Sequence, residues 1–284
     1  MRILVIGATG MLGNAIFKFL SDYSPCEIFG TTRSENAKKL FRCGDISRLI
    51  SGIDVDQQDS LLDVFTRIQP NIVINCVGLI KQLSDAVDPL QAIPINALLP
   101  HRLARMCELT NSRLIHMSTD CVFSGKKGSY SEDDLPDAQD LYGRSKLLGE
   151  VIYPHTVTLR TSIIGHELQS SHGLVGWFLS QECDVKGYKR AIFSGLPTVE
   201  LARVIRDHVI PRSDLHGVYH VSAEPISKFD LLTLVAKIYG KSIDIISDEQ
   251  LVIDRSLDST RFRQATGFAP KPWPELVSSM RDFG

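Results

Sequence analysis

The 284 residues contain no cysteine pair at CxxC spacing and no Cys/His cluster at zinc-ligand spacing. No metal site is expected. The six cysteines, at 26, 43, 76, 107, 121 and 183, are scattered along the chain, with no secretory leader before them. That pattern reads as reduced thiols. The chain opens directly into MRILVIGATGMLG, a strand and turn without a cleavage site, so a cytoplasmic protein is expected. Long apolar runs are lacking too: stretches such as 71–80 fall short of the about 20 residues that span a bilayer, and no membrane partner is expected. Neither sign of charge dominates. With 31 Lys and Arg against 33 Asp and Glu, the formal charge is −2, which leaves no basic footprint for nucleic acid. There is also no internal repeat, no low-complexity tract and no Ser/Gly linker.

What is present is a 43% hydrophobic chain in which short apolar runs alternate with helical patterns over the first 160 residues, the signature of a parallel sheet. Strands are predicted at Arg2–Ile6, Glu27–Thr31, around Leu49–Ile53, Ile72–Cys76, Arg113–Ser118 and Thr156–Leu159. Helices are predicted at Met11–Leu20, Leu61–Ile68, Ala97–Thr110 and Leu141–Ile152. Unbroken apolar strands such as Ile72-Val73-Ile74 point to burial on both faces. Beyond Arg160 the pattern loosens. A helix over Thr198–Ile210 stops at Pro211 and a strand covers Val218–Val221. Ser227, with Asp230 three residues on, opens a helix that Gly240 closes, and Pro272-Trp273-Pro274-Glu275 begins a terminal one. The expected architecture is α/β: a Rossmann-type, doubly wound parallel sheet in residues 1–160. A smaller substrate-binding lobe in 161–284 sends some segments back to that sheet.

Gly7-Ala8-Thr9-Gly10-Met11-Leu12-Gly13 sits between the first strand and the first helix. Glycines there permit a tight turn and let a pyrophosphate approach the backbone N–H groups at the helix start. Gly7, Thr9, Gly10, Met11, Leu12 and Gly13 are therefore assigned to a dinucleotide. At the end of the second strand an Asp or Glu would meet the ribose 2′-hydroxyl of NAD, but the chain has Thr31-Thr32-Arg33-Ser34. Arg33 suits a 2′-phosphate, so NADPH is favoured, with NADH as the alternative. Asp54 and Val55 stand where an adenine edge would be met. Cys76, Val77 and Gly78 end the fourth strand in residues over which a cofactor can lie.

Tyr142 and Lys146 are four apart and share one helix face, about 6 Å apart at Cβ. A nearby ammonium favours a phenolate, and a tyrosine hydroxyl can protonate a ketone oxygen as hydride reaches the carbon. A second hydroxyl for that oxygen is Thr119, at the carboxyl end of the fifth strand, where ligands of open α/β sheets bind.

Taken together, the glycine loop, Thr119 and the Tyr142/Lys146 pair resemble the extended short-chain dehydrogenases/reductases. The stretch STDCVFSGKKGSYSEDDLPDAQDLYGRSKLLGE (Ser118–Glu150) is similar to the dTDP-4-dehydrorhamnose reductase branch. So are Leu159-Arg160-Thr161-Ser162, Gly195-Leu196-Pro197-Thr198 and Gly217-Val218-Tyr219-His220. The resemblance implies an NAD(P)H-dependent reductase of the C4 ketone of a nucleotide-linked deoxysugar, for cell-surface carbohydrate. Thr119, Tyr142 and Lys146 would be the catalytic triad, with Tyr142 and Lys146 also contacting the cofactor. A nucleotide-diphosphate sugar is the implied partner, and a homodimer is left open.

Departures from the family pattern raise two other readings. Related 4,6-dehydratases carry an Asp-Glu pair after the threonine. Here Cys121 follows Asp120, so that reaction lacks its base. GDP-fucose synthase, an epimerase-reductase, is similar in placing a cysteine there and in using a downstream histidine. Cys121 and His172 would then move protons beside the ketone before reduction. Asp120 follows the family motif, and Arg255, within Ile253-Asp254-Arg255-Ser256-Leu257-Asp258, would reach a diphosphate. The regulatory beta subunit of methionine adenosyltransferase resembles the same branch, so an NADP-binding partner protein without catalysis is the third reading. The intact triad speaks against it.

Overall fold

The computed structural model describes residues 1–22, 26–79 and 87–284. Its main sheet begins with Arg2–Ile6 (β1), Glu27–Thr31 (β2), Leu49–Ile50 (β3), Ile72–Asn75 (β4), Arg113–Thr119 (β5) and Thr156–Thr161 (β6). Downstream lie Ile163–Ile164 (β7), Val185–Tyr188 (β8), Ala191–Phe193 (β9), Leu196–Pro197 (β10), Gly217–His220 (β11), Ile226–Ser227 (β12), Ile245–Asp248 (β13) and Ile253–Asp254 (β14). Seven strands, all parallel, form one sheet in the order β11-β6-β5-β4-β1-β2-β3. The order reverses between β1 and β4. That is the switch point outside which ligands of doubly wound sheets bind.

Both faces of β1 are buried because its residues alternate between two cores. Ile3 and Val5 join Phe17 and Leu20 of the helix Met11–Ser21 and Leu201 of the helix Thr198–Val204. Leu4 and Ile6 join Leu61 and Phe65 of the helix Gln58–Ile68 and Leu103 of the helix Leu99–Leu109. A strand covered on both sides has no solvent face to mark with polar residues, which explains the unbroken apolar runs. The apolar run 71–80 follows β4 as far as residue 79; residue 80 lies outside the described residues.

Several boundaries differ from expectation, each for a local reason. The third strand stops at Ile50, and Gly52 adopts φ +77°, so the chain turns where a strand to Ile53 was predicted. The helix predicted to begin at Ala97 begins at Pro89 and passes through a π-helical stretch, Ile93–Leu98, that contains Pro94. Proline has no N–H to give the preceding turn, and widening the turn accommodates it. The helix carrying Tyr142 ends at Leu148 rather than Ile152. A Cβ at Gly149 would stand 2.0 Å from the Asn96 carbonyl oxygen, so glycine both ends this helix and lets it meet the π-helical segment.

In the C-terminal half, β11 returns to the main sheet beside β6. The remaining strands form the small sheets β12-β9-β14, β13-β8 and β10-β7. Ser227 caps the helix Lys228–Tyr239 by accepting from the Asp230 N–H at 3.0 Å, and Gly240 closes it at φ +70°.

Candidate active site

The glycine loop is shaped by contacts that exclude side chains. Gly7, at φ +86°, donates its N–H to the Thr31 hydroxyl at 3.0 Å, and a Cβ there would press on Val77. A Cβ on Gly13 would lie 2.0 Å from the Gly7 carbonyl oxygen. Gly10 is different: it is exposed, begins the helix without a side-chain cap, and has no neighbour nearer to its absent Cβ than 3.6 Å. The helix start is therefore uncapped and open at Gly10, as a pyrophosphate would require. Thr9 and Met11 flank this opening half-buried, while Leu12 is in the core. Arg33 is exposed just past the end of β2.

Asp54 and Val55 do not end the third strand; they lie beyond it. The Asp54 N–H donates to Ser60 at the start of the next helix, and Val55 is buried in the core. Cys76 and Val77 are half-buried past β4, and Gly78 is exposed. A Cβ on Gly78 would stand 3.6 Å from Lys146 Nζ, so bare backbone lies beside that ammonium.

Three consecutive residues at the end of β5 organise the rest. The Met117 carbonyl accepts from Lys146 Nζ at 2.7 Å. Ser118 Oγ donates to Glu150 Oε1 at 2.7 Å. The Thr119 hydroxyl accepts from the Cys121 N–H at 3.1 Å, donates to Asp120 Oδ1 at 3.2 Å and lies beside the Tyr142 phenol. Asp140 caps the helix Leu141–Leu148 through the Gly143 N–H at 2.7 Å, which fixes Tyr142 in the first turn. Thr119, Tyr142 and Lys146 thus converge at the carboxyl ends of β4 and β5.

Their electrostatics differ in part from expectation. Burial pulls Lys146 down to about 8, opposed by the neighbouring Glu150 and Cys76 side chains. The Tyr142 phenol, by contrast, is pushed up by burial and by Cys121, Asp120 and Asp140, while the neighbouring Thr119 hydroxyl favours its phenolate. The ammonium is engaged at Met117, and the phenol keeps its proton at neutral pH.

The Cys121–His172 pair is not assembled. His172 is exposed ahead of Gly173, whereas Cys121 lies against Asp120 and Arg255, and no hydrogen bond or ion pair joins the two. Burial and the Asp120 charge push the Cys121 thiol up to about 12, which keeps it from acting as a base near neutrality. Asp120 is itself buried and raised by desolvation, while Arg255 and the neighbouring Cys121, Thr119 and Ser162 favour its charged form; of these, the Thr119 hydroxyl donates to it at 3.2 Å. Arg255 is half-buried and donates to the Phe123 carbonyl at 2.8 Å, so its guanidinium sits next to the catalytic turn.

Sequence reasoning missed Asn96. Its Oδ1 accepts from the Leu79 N–H at 3.0 Å and its Nδ2 donates to Ser145 at 3.1 Å, tying the segment after β4 to the Tyr142 helix. The signal available was one amide inside the otherwise apolar stretch Ile93–Leu98. Glu150, Arg160 and His220 stood inside the stretches compared with the reductase branch, but nothing in the sequence marks them as one network.

The sequence profile of the RmlD substrate binding domain family matches residues 1–282. A dTDP-4-dehydrorhamnose reductase of Aggregatibacter actinomycetemcomitans is 24% identical over 307 residues, covering 99% of each chain. The methionine adenosyltransferase 2 subunit beta of Danio rerio is 26% identical over 257 residues, 84% of this chain and 74% of that one. Among solved structures, a dTDP-4-dehydrorhamnose reductase of Bacillus anthracis in complex with NADP superposes with a TM-score of 0.80 at 21% identity, covering 99% of this chain and 97% of that one. At that identity the likeness concerns the fold, and the fold is the same.

Proposed function

Since the chain belongs to the RmlD substrate binding domain family, we propose that it is an NADPH-dependent reductase of the C4 ketone of a nucleotide-activated 4-keto-6-deoxysugar. The observation that carries this reading is the convergence of Thr119, Tyr142 and Lys146 at the strand ends beside an uncapped, glycine-lined helix start. Two relatives support it. The Aggregatibacter protein is named for this activity, and the Bacillus anthracis reductase was crystallised with NADP.

NADPH, when bound, supplies the hydride for the carbonyl carbon. Tyr142, protonated at neutral pH, gives its phenolic proton to the carbonyl oxygen, and the Thr119 hydroxyl donates a hydrogen bond to the same oxygen. Lys146, beside Met117 and Gly78, would hold the nicotinamide ribose. Arg33 would receive the 2′-phosphate, and Gly10 to Gly13 the pyrophosphate. Residues 161–284 form the lobe that faces the sugar nucleotide, with Arg255 directed to the diphosphate.

The test is NADPH consumption with freshly generated dTDP- and UDP-linked 4-keto-6-deoxysugars. Turnover with one of them, lost in Tyr142→Phe while NADPH still binds, is the expected result. The likeness to the Danio rerio subunit sustains a second reading, a cofactor-binding partner protein. Tight NADPH binding with no turnover on either sugar would favour it.

A further inference from the structure

A buried charge network behind the reacting groups has no part in the chemistry described so far. Glu150 and Arg160 form an ion pair at 2.7 Å with both side chains only 6% exposed. Every carboxylate oxygen is engaged: Oε1 accepts from Ser118 Oγ and Arg160 Nε, each at 2.7 Å, and Oε2 accepts from Arg160 Nη2 at 2.7 Å. Arg160 Nη1 meets His220 Nε2 at 3.2 Å. A guanidinium only donates, so Nε2 accepts and His220 carries its proton on Nδ1, which donates to the Tyr130 carbonyl at 2.9 Å. Burial and the Arg160 charge hold His220 down to about 4, which keeps the ring neutral. The His220 backbone N–H donates to Glu132 Oε1 at 2.8 Å, and Phe123 covers the guanidinium at 5.3 Å.

The network therefore runs from the end of the Tyr142 helix across β5, β6 and β11 to the segment that contains Phe123, Tyr130 and Glu132. Stability alone gives a weak reason for it. Two buried charges lose their hydration, and apolar residues of similar volume commonly serve a fold as well or better. Its placement supplies another reason. Ser118 lies between the residue that holds Lys146 and the residue that meets Tyr142, and Glu150 lies one helical turn beyond Lys146.

We propose that Glu150, fixed by Ser118 and Arg160, is a positioning residue for this site. It locks the end of β5 against the Tyr142 helix and provides the negative charge that keeps Lys146 an ammonium. The proposal rests on the reductase reading for the role of Lys146, while its electrostatic content stands without it. Among the described residues, the titratable groups around Lys146 are Glu150, Cys76 past β4, His116 on β5, Tyr142 on its own helix, and Asp120 and Cys121 in the turn packed against that helix. Of these, Glu150 and Cys76 favour the ammonium; Cys76 is pushed up to about 12 by burial, which keeps it a neutral thiol, whereas both Glu150 oxygens accept hydrogen bonds, as those of a carboxylate do.

The experiment is an NMR titration of the full chain with labelled lysine ε-carbons, the Lys146 signal being identified by its loss in Lys146→Met. In Glu150→Gln the Lys146 midpoint should fall by about one pH unit, the scale of a partly screened neighbouring charge. The alkaline limb of kcat should fall with it, while KM for the sugar nucleotide changes little. Glu150→Asp should bring the midpoint back toward the wild-type value. If Glu150→Gln leaves Arg160 unpaired and does not fold, the double variant Glu150→Gln, Arg160→Gln removes both charges and the same midpoint is read. A folded variant of either kind with an unmoved Lys146 midpoint overturns the proposal. A moved midpoint in a protein that reduces neither sugar sustains the electrostatic role and removes the reductase reading instead.

Discussion

Lys146 and Tyr142 share a helix face, yet two different residues of one strand hold them. The ammonium donates to the Met117 carbonyl at 2.7 Å, while the phenol meets the Thr119 hydroxyl two residues further on. Strand and helix therefore register against each other at two points, with Ser118 and Glu150 between them as a third.

This arrangement assigns the alkaline limb of the pH profile. Burial lowers Lys146 to about 8 and raises Tyr142 above its ordinary value, so over the neutral to mildly alkaline range only the lysine changes charge. The ammonium form is complete below about 8 and is lost as pH rises through it. The kcat for ketone reduction should accordingly be flat on the acid side and decline about tenfold per pH unit above about 8. A rate profile that stays level to pH near 10, the ordinary tyrosine range, would detach the lysine from the chemistry.

The glycine loop separates folding from cofactor binding. In Gly13→Ala the new methyl meets the Gly7 carbonyl oxygen at 2.0 Å, a backbone atom with no room to yield. A loss of roughly 1–3 kcal/mol of stability is expected, the usual scale for overpacking, read as a lowered Tm. In Gly10→Ala the nearest atom is 3.6 Å away and the residue sits at φ −71°, which alanine adopts freely. Its Tm should be unchanged while NADPH affinity drops, because the methyl fills the mouth of the anion cradle. Equal Tm losses in the two variants would contradict this division.

In the proposed reading Arg33 bears on cofactor choice alone. It is exposed beyond β2, and no acidic residue takes the position an NAD-type ribose would need. Arg33→Ala should weaken NADPH binding roughly tenfold, the scale of a lost charge-assisted hydrogen bond, and leave NADH binding as it was. Parallel titrations with both nucleotides decide it; equal losses for the two would place Arg33 away from the 2′-phosphate.

The sheet was legible because Ile3–Ile6 of β1 and Ile72–Ile74 of β4 are apolar without interruption and each strand is followed by a turn signal. The site was legible because the Tyr-Lys spacing and the strand-end threonine are local patterns. What escaped depends on long-range packing or on a rule with exceptions. Pro94 reads as a helix boundary, yet a wider turn carries the helix through it. The Glu150–Arg160–His220 network joins residues 10 and 60 positions apart, and no periodicity encodes such a meeting. Cys121 and His172 were paired by analogy. In the structure Gly173 itself lies against the Met11 side chain of the glycine loop, and His172 beside it is exposed.

That separation yields a last prediction, on epimerisation. Moving a proton at a carbon next to the ketone needs a base, and a thiol held up to about 12 is not one at neutral pH. His172, exposed and without a hydrogen bond to the site, is not placed to replace it. Reduction in deuterated water with NADPH should therefore give a product with no deuterium bound to ring carbon beyond that of the same sugar incubated without enzyme. Cys121→Ala should keep turnover within about threefold of wild type, since the variant removes a buried thiol beside Asp120 and no reacting group. Enzyme-dependent deuterium at C3 or C5, abolished in Cys121→Ala, would instead mean that binding of the sugar brings cysteine and histidine together.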